Sequence, residues 1–147
     1  MAHGAGLALA LGLLAMAPAG AVAQEAPAEE AAATVRVELN RLQPGANACQ
    51  PYLVFENRTA YALSSLKLDL VLFDADGIVA DRLAVEAAPL PAGKTSLVVF
   101  QVPSLACDAI GSVLLNGVLA CAGASVSDGA CIDLVETGSR VTVPFFK

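Results

Sequence analysis

The stretch LKLDLVLFDADGIVADRLAVE, residues 66–86, decides the fold class of this 147-residue chain. Apolar and polar residues alternate on both sides of its centre, which is the period of a β-strand with one buried face. The four residues in between, DADG at 74–77, favour a tight turn, because Asp bonds to its own backbone and Gly tolerates a positive φ. The stretch therefore predicts a β-hairpin.

An acidic turn of this kind is also a candidate calcium-binding loop. An EF-hand loop needs acidic residues at its first, third and fifth positions, Gly at the sixth and Glu at the twelfth. Counted from Asp74, the fifth, sixth and twelfth positions hold Ile78, Val79 and Val85. Since this spacing does not fit, we predict a hairpin and no metal site.

The period of two recurs along the rest of the chain. It predicts about seven strands separated by Gly- and Pro-containing turns, at residues 34–42, 51–58, 63–73, 77–87, 94–102, 111–121 and 138–146. Such a series predicts an all-β, immunoglobulin-like Greek-key β-sandwich over residues 34–147. Residues 109–120 also fit a helical stripe with Asp108 as its N-cap. Gly111 and Gly117 favour the strand, because each would cost a helix about 1 kcal/mol relative to Ala.

The first 33 residues carry two further signals. Residues 7–17 form an apolar run, and A-V-A at residues 21–23 is the small-residue pattern that precedes a cleavage site. We therefore predict a signal peptide at 1–23. The run is shorter than the roughly 20 residues that a membrane span needs, so we expect no stable membrane insertion after cleavage. Residues 24–33, QEAPAEEAAA, predict a flexible acidic linker.

The four cysteines predict two disulfides. An even number of cysteines behind an export signal is typical of disulfide-bonded secreted proteins, and no C-x-x-C motif suggests zinc or redox chemistry. Of the three possible pairings we favour Cys121–Cys131, because the short, turn-rich segment between them can bring its ends together. The second pair is then Cys49–Cys107.

The composition excludes several kinds of chemistry. The net charge of −6 lies entirely after residue 23 and argues against binding to nucleic acid. The one histidine, His3, lies in the leader, so Ser–His and Cys–His nucleophile pairs are excluded from the mature chain.

Asp69 and Asp81 could face each other across the hairpin as a catalytic carboxylate pair. The favoured interpretation is exposed acids beside Lys67 and Arg82, so we predict no enzyme and no cofactor.

The triplet NRT at residues 57–59 has two interpretations. It matches the acceptor pattern for N-glycosylation, in which Asn57 would carry the glycan. It fits a turn between two strands equally well.

Residues 52–102, from YLVFENRTAYALSS to TSLVVFQV, carry a resemblance to a known kind of domain. Their order of strand, Asn-containing turn, strand, Asp-Gly turn, strand, Pro-Gly turn, strand resembles the immunoglobulin-like modules of the FxLYD kind in bacterial exported proteins. Over residues 34–147 the chain is similar to a group of uncharacterised proteobacterial exported proteins, often described by a twin-arginine signal. The resemblance implies a periplasmic β-sandwich and no catalytic residues. The leader contains no arginine pair, so the export route stays open.

These observations predict a periplasmic or secreted, non-enzymatic module that binds a protein or an envelope component. Edge-strand addition is a natural binding mode for such a fold. The alternatives are a small secreted hydrolase that uses carboxylates and a periplasmic ligand or ion carrier. The candidate interaction residues are apolar: Val71, Phe73, Val98, Val99, Phe100, Phe145 and Phe146.

Overall fold

The structure is a computed structural model that describes residues 1, 3–4, 34–123 and 131–147. The chain divides into two units, Met1–Glu30 and Ala31–Lys147, and the fold given below is that of the second. The predicted signal peptide (1–23) and acidic linker (24–33) lie outside the described residues, apart from positions 1, 3 and 4. Both stay predictions.

The described residues form an all-β fold, as the sequence predicts. Seven strands have five residues or more, and β6 and β9 have two each. A 3-10 helix spans Cys107–Ala109, and a single helical turn, α1, spans Cys131–Leu134. The strands are β1 (Val35–Gly45), β2 (Ala48–Asn57), β3 (Leu63–Phe73), β4 (Val79–Glu86), β5 (Thr95–Val99), β6 (Val102–Pro103), β7 (Ser112–Gly123), β8 (Val135–Ser139) and β9 (Phe145–Phe146).

The strands are arranged in two sheets. The first has the order β5-β2-β1-β8, with β6 also paired to β2, and the second has the order β4-β3-β7-β9. The chain forms the hairpins β1–β2 and β3–β4 and changes sheet after each. Later strands then return to lie beside earlier ones, β5 beside β2 and β7 beside β3, which are connections of the Greek-key type. β8 and β9 pair in parallel with β1 and β7. The two last strands therefore close the sandwich by joining opposite sheets.

The core lies between the two sheets. The alternation predicted for β3 is confirmed, because Leu66, Leu68, Leu70 and Leu72 are all buried on its inner face. They pack with Phe55 and other residues of the first sheet in a single apolar cluster. Burial of a large aliphatic side chain contributes about 1.5–3 kcal/mol, so this row fixes the register of β3.

The hairpin at residues 74–77 is confirmed. The Asp74 carboxylate accepts hydrogen bonds from the backbone N–H of Asp76 (3.0 Å) and of Ile78 (2.8 Å), and Gly77 has a φ of 78°. The backbone N–H of Gly77 donates to the Asp74 carbonyl at 3.1 Å. The side chain of Asp74 therefore closes the turn itself.

The seventh predicted strand, residues 138–146, is wrong. β8 ends at Ser139, and the chain bends before β9 begins at Phe145. The Ser139 hydroxyl lies 3.1 Å from the carbonyl oxygen of Val141 and 2.7 Å from that of Val143, so side-chain bonds replace the strand ladder here. Pro144 has no N–H to donate, which also favours an interruption.

Of the two interpretations of the NRT triplet, the environment of Asn57 supports the turn. Its side chain is completely buried, and its Nδ2 donates to the carbonyl oxygens of Tyr61 (3.0 Å), Leu90 (3.0 Å) and Pro91 (3.2 Å). Its Oδ1 accepts from the N–H of Thr59 at 3.0 Å and from the hydroxyl of Thr59 at 2.6 Å. Because the amide nitrogen is buried and bonded, this fold has no room for a glycan on it.

The strand predicted for residues 111–121 is confirmed as β7, and Gly111 leads into it. A Cβ at this position would lie 2.6 Å from the Asp74 carbonyl carbon and 2.9 Å from the Ala75 Cα. These are backbone atoms of the hairpin and cannot move aside as a side chain can. Only glycine therefore allows the chain to pass this close to the hairpin.

We expect Gly111→Ala to lower the free energy of unfolding by about 1–3 kcal/mol, the usual cost of overpacking. The matched control is Gly117→Ala, in the middle of β7, where an added Cβ meets no atom within 4 Å. Urea unfolding of both variants measures the difference. Equal effects of the two substitutions would show that the close approach to the hairpin does not matter.

Candidate functional site

Among the described residues, strand β5 forms a free edge of the first sheet. Its register with β2 pairs Tyr52 with Val99 and Glu56 with Thr95. The N–H of Asn57 donates to the carbonyl of Lys94, and the N–H of Phe100 donates to that of Pro51, so the even-numbered residues of this segment bond to β2. In an antiparallel ladder the intervening residues direct their backbone groups away. The N–H and C=O groups of Thr95, Leu97 and Val99 therefore point outward from the sheet.

The side chains along this edge are uncharged. Residues 95–101 contain no acidic or basic residue, and Leu97 and Val99 are 58% and 40% exposed on the outer face. Tyr52 and Val54 of β2 stand opposite them and are half-buried. The β5 edge, defined here as Thr95–Val99, thus offers unpaired backbone groups beside an apolar surface.

The other strands at the margins of the described sheets are β4, β6, β8 and β9, and β9 is protected by its length of only two residues. β4 contains Asp81, Arg82 and Glu86, and charged residues on an edge oppose pairing with another chain. The Lys147 ammonium donates to the carbonyl of Val135 in β8 at 2.6 Å. β6 contains Pro103, which has no N–H. None of these features protects the β5 edge. In the described part of the chain, residues 115–123 of β7 also lack a strand partner on the β9 side, because only Val113 and Leu114 are paired there.

The predicted interaction residues do not lie together. Phe145 belongs to the core, and Val71 is also buried. Phe73, Val98 and Phe100 are half-buried, whereas Val99 and Phe146 are exposed on different sheets. Their role in binding stays a prediction. Of these residues, Val99 is the one that is exposed on the β5 edge.

Sequence reasoning missed Leu97, which is more exposed than Val99, the other large apolar residue on the outer face of the β5 edge. The signal was present in the alternation of T-S-L-V-V-F, because a strand that buries Val98 and Phe100 must expose Leu97 and Val99. The alternation was difficult to recognise because both faces of this strand carry aliphatic residues.

The carboxylate pair that the sequence left as an alternative does not form. Asp69 lies opposite Ala84, and Asp81 lies opposite Leu72, so the two acids are neither cross-strand partners nor on the same face. Asp69 is also not on a wet face, as the sequence suggested, because it is only 4% exposed. It accepts two hydrogen bonds from Arg82, at 2.9 and 2.7 Å, and one from Asn116 at 2.6 Å.

These donors determine the acidity of Asp69. The bonds from Arg82, followed by the bond from Asn116, lower its pKa from the ordinary 3.8 to about 2 against the opposing effect of burial. A general acid would need a raised pKa instead. The arrangement therefore makes Asp69 a stable anion that holds Arg82 and Asn116 over the second sheet.

We expect this ion pair to stabilise the fold only while Asp69 is ionised. Because the folded pKa is the lower one, the stabilisation is present above about pH 4 and is lost as the pH falls towards 2. The pKa change corresponds to about 2 kcal/mol, which the 62% exposure of the Arg82 side chain reduces to about 1 kcal/mol.

Urea unfolding of wild type and Asp69→Asn over this pH range measures the effect. The difference between them should shrink as the pH falls, whereas the control Asp76→Asn, at an exposed turn position, should show no such trend. A constant difference between wild type and Asp69→Asn would contradict the assignment.

A second ion-pair network covers the outer face of the first sheet beside the β5 edge. Glu38 accepts hydrogen bonds from Arg36 (3.2 Å), Asn40 (3.1 Å) and Arg140 (2.8 Å). The bond from Asn40, then those from Arg140 and Arg36, keep the pKa of Glu38 below its ordinary value although burial raises it. The surface forms a concavity of about 290 Å³ lined by Arg36, Glu38, Val54, Glu56, Arg58, Thr95 and Arg140. Acidic and basic groups pair within it, Glu38 with Arg36 and Arg140 and Glu56 with Arg58.

Both predicted disulfides are present. Cys49 and Cys107 have their Cα atoms 4.7 Å apart, and those of Cys121 and Cys131 are 6.4 Å apart.

In residues 34–123 and 131–147, no three His, Cys, Asp or Glu side chains come together as a metal site would require. Among the described residues, no helix has the length and apolar composition needed to span a bilayer.

The fold and its edge define a disulfide-bonded, two-layer β-sandwich. No protein-family model matches the chain, and no curated protein matches it. Among solved structures, the chain is similar to IrmA from Escherichia coli, with 12% sequence identity and a TM-score of 0.52. The similarity covers 71% of this chain and 90% of that protein. At this identity it concerns the fold alone, and it supports the sandwich architecture.

Proposed function

We propose that this protein is exported to the periplasm, loses its signal peptide and acts there as a non-enzymatic protein-interaction module. It binds an extended polypeptide segment as an added strand along the β5 edge. Backbone hydrogen bonds provide the affinity in this mode of binding, and the alternating side chains provide the specificity.

The observation that carries the proposal is the β5 edge itself. It combines outward N–H and C=O groups with an uncharged sequence and a 58% exposed Leu97. An edge strand without charges, proline or a covering segment readily pairs with another chain. At the other margins of the described sheets, β4 carries charges, β6 contains proline, a lysine covers β8, and β9 is only two residues long.

Two kinds of observation support the export step. Disulfides form and persist in oxidising compartments such as the periplasm, and this chain has two of them. The apolar run and A-V-A pattern of residues 1–23 are typical of a cleaved signal peptide.

The test combines cell fractionation with site-specific crosslinking. Mass spectrometry of the protein from the organism that makes it should find an N-terminus at Gln24 and both disulfides intact. A photo-crosslinking residue in place of Leu97 should then give crosslinked products in the envelope, and the same residue in place of Leu119 should not. Leu119 is the matched control because it is 55% exposed on the other sheet. A retained leader with four free thiols, or equal crosslinking from both positions, would contradict the proposal.

A further inference from the structure

We infer that the segment bound along the β5 edge is the same edge of a second copy of this chain. The two β5 strands pair antiparallel, and the two-fold axis passes between the two Leu97 residues. This inference rests on the proposed function, because it uses the same edge and names its occupant.

The backbone of β5 is complementary to itself in this register. The residues whose N–H and C=O groups point outward are Thr95, Leu97 and Val99, and Leu97 is the middle one. With Leu97 opposite Leu97 of the second copy, Thr95 of each copy lies opposite Val99 of the other. Every outward group of the strand then gains a hydrogen-bond partner. A shift of two residues in either direction would leave outward groups at both ends without partners.

The side chains are compatible with the same register. Opposite residues of an antiparallel pair project from the same face, so the two Leu97 side chains meet across the axis and each Val99 packs beside a Thr95. No acidic or basic residue occurs between positions 95 and 101. Lys94, the nearest base in the sequence, would face Phe100 of the second copy. Pairing therefore brings no like charges opposite each other.

Charge at the edge itself does not oppose the pairing of two copies. The net charge of the chain is −6, which opposes association in general. The acid nearest to the edge is Glu56, opposite Thr95, and Arg58 pairs with it at 2.7 Å. Pairing at this edge therefore places no acid of one copy opposite an acid of the other.

The contact is small, so the dimer is weak. β5 contributes five residues per copy, whereas stable interfaces bury at least about 1,200 Å². We expect a dissociation constant above about 1 μM and a monomer–dimer equilibrium that shifts with concentration.

The test is sedimentation velocity of the purified mature protein over a concentration series. Wild type should shift towards the dimer as its concentration rises. Leu97→Lys and Leu97→Glu should each stay monomeric, because the two-fold axis places equal charges opposite each other. An equimolar mixture of these two variants should form a heterodimer, since the axis then brings opposite charges together. The control Leu119→Lys places the same charge at a similarly exposed leucine and should associate as wild type does.

Three outcomes would overturn the inference: a wild type that stays monomeric at every concentration, a Leu97→Lys variant that associates normally, or a mixture of the charged variants that does not associate. If wild type is monomeric but position 97 still crosslinks to a different protein in the envelope, the dimer fails and the proposed function stands. If position 97 neither crosslinks nor supports association, both fail.

Discussion

Asn57→Ala should lower the free energy of unfolding by about 3 kcal/mol. The Asn57 side chain joins the turn after β2 to the segment before β5, through bonds to the carbonyls of Tyr61, Leu90 and Pro91. These carbonyls keep other partners, since Leu90 also accepts from the N–H of Leu63. The N–H of Thr59 loses its acceptor and stays buried, which is the costly part of the change. The cavity left by the amide adds to it.

Urea unfolding at neutral pH measures this loss. The control Asn40→Ala removes an exposed asparagine with a single side-chain bond, to Glu38, and should cost no more than about 1 kcal/mol. Similar losses in both variants would mean that Asn57 does not join the two segments.

Asn57→Asp provides a second signature of the same site. The carboxylate keeps the acceptor for Thr59 but places an oxygen against three carbonyls in a buried position. Burial and these acceptors raise the pKa of the new acid in the folded state. Because the folded pKa is the higher one, this variant should lose stability as the pH rises, whereas Asn57→Ala should show no such trend. A pH-independent Asn57→Asp variant would contradict the buried environment.

Local patterns predicted the strands that alternate cleanly. The Leu66–Leu72 row (Leu66, Leu68, Leu70, Leu72) and the turn at Asp74 can be derived from a few neighbouring residues, and both are confirmed. β7 was also predicted correctly. In the sequence, Gly111 was evidence against a helix in this region. In the structure, a glycine is required at this position because the chain passes close to the β3–β4 hairpin. The sequence shows that a glycine would destabilise a helix. It does not show which distant part of the chain packs against that glycine.

The errors arise where distant parts of the chain meet. The burial of Asp69 depends on Arg82 across the hairpin and on Asn116 from β7. The interruption after Ser139 depends on the pairing of β8 with β1 and of β9 with β7. The free edge depends on which strand ends the sheet, so the sequence could not show that Leu97 lies on an edge strand. These properties follow from register and topology, which alternation alone does not specify.

Removal of the Cys49–Cys107 disulfide should have the largest effect, a loss of about 4 kcal/mol in the double variant Cys49→Ala/Cys107→Ala. The bond closes a loop with a sequence separation of 58, and the entropy of the unfolded chain rises strongly when so long a loop is opened. The Cys121–Cys131 bond closes a separation of 10, so Cys121→Ala/Cys131→Ala should lose about 3 kcal/mol. Alanine suits the test at Cys49, which is completely buried, because it leaves no unpaired polar group.

Urea unfolding of the two double variants and of the oxidised wild type measures the order of these losses. The chain-entropy account fails if the short-loop variant is destabilised as much as the long-loop variant. A small domain has a total stability of about 5–15 kcal/mol, so the two bonds together account for a large part of it. The reduced wild type should therefore be largely unfolded at 37 °C. Folding of this chain is then coupled to oxidation, and disulfides of this kind form and persist in oxidising compartments.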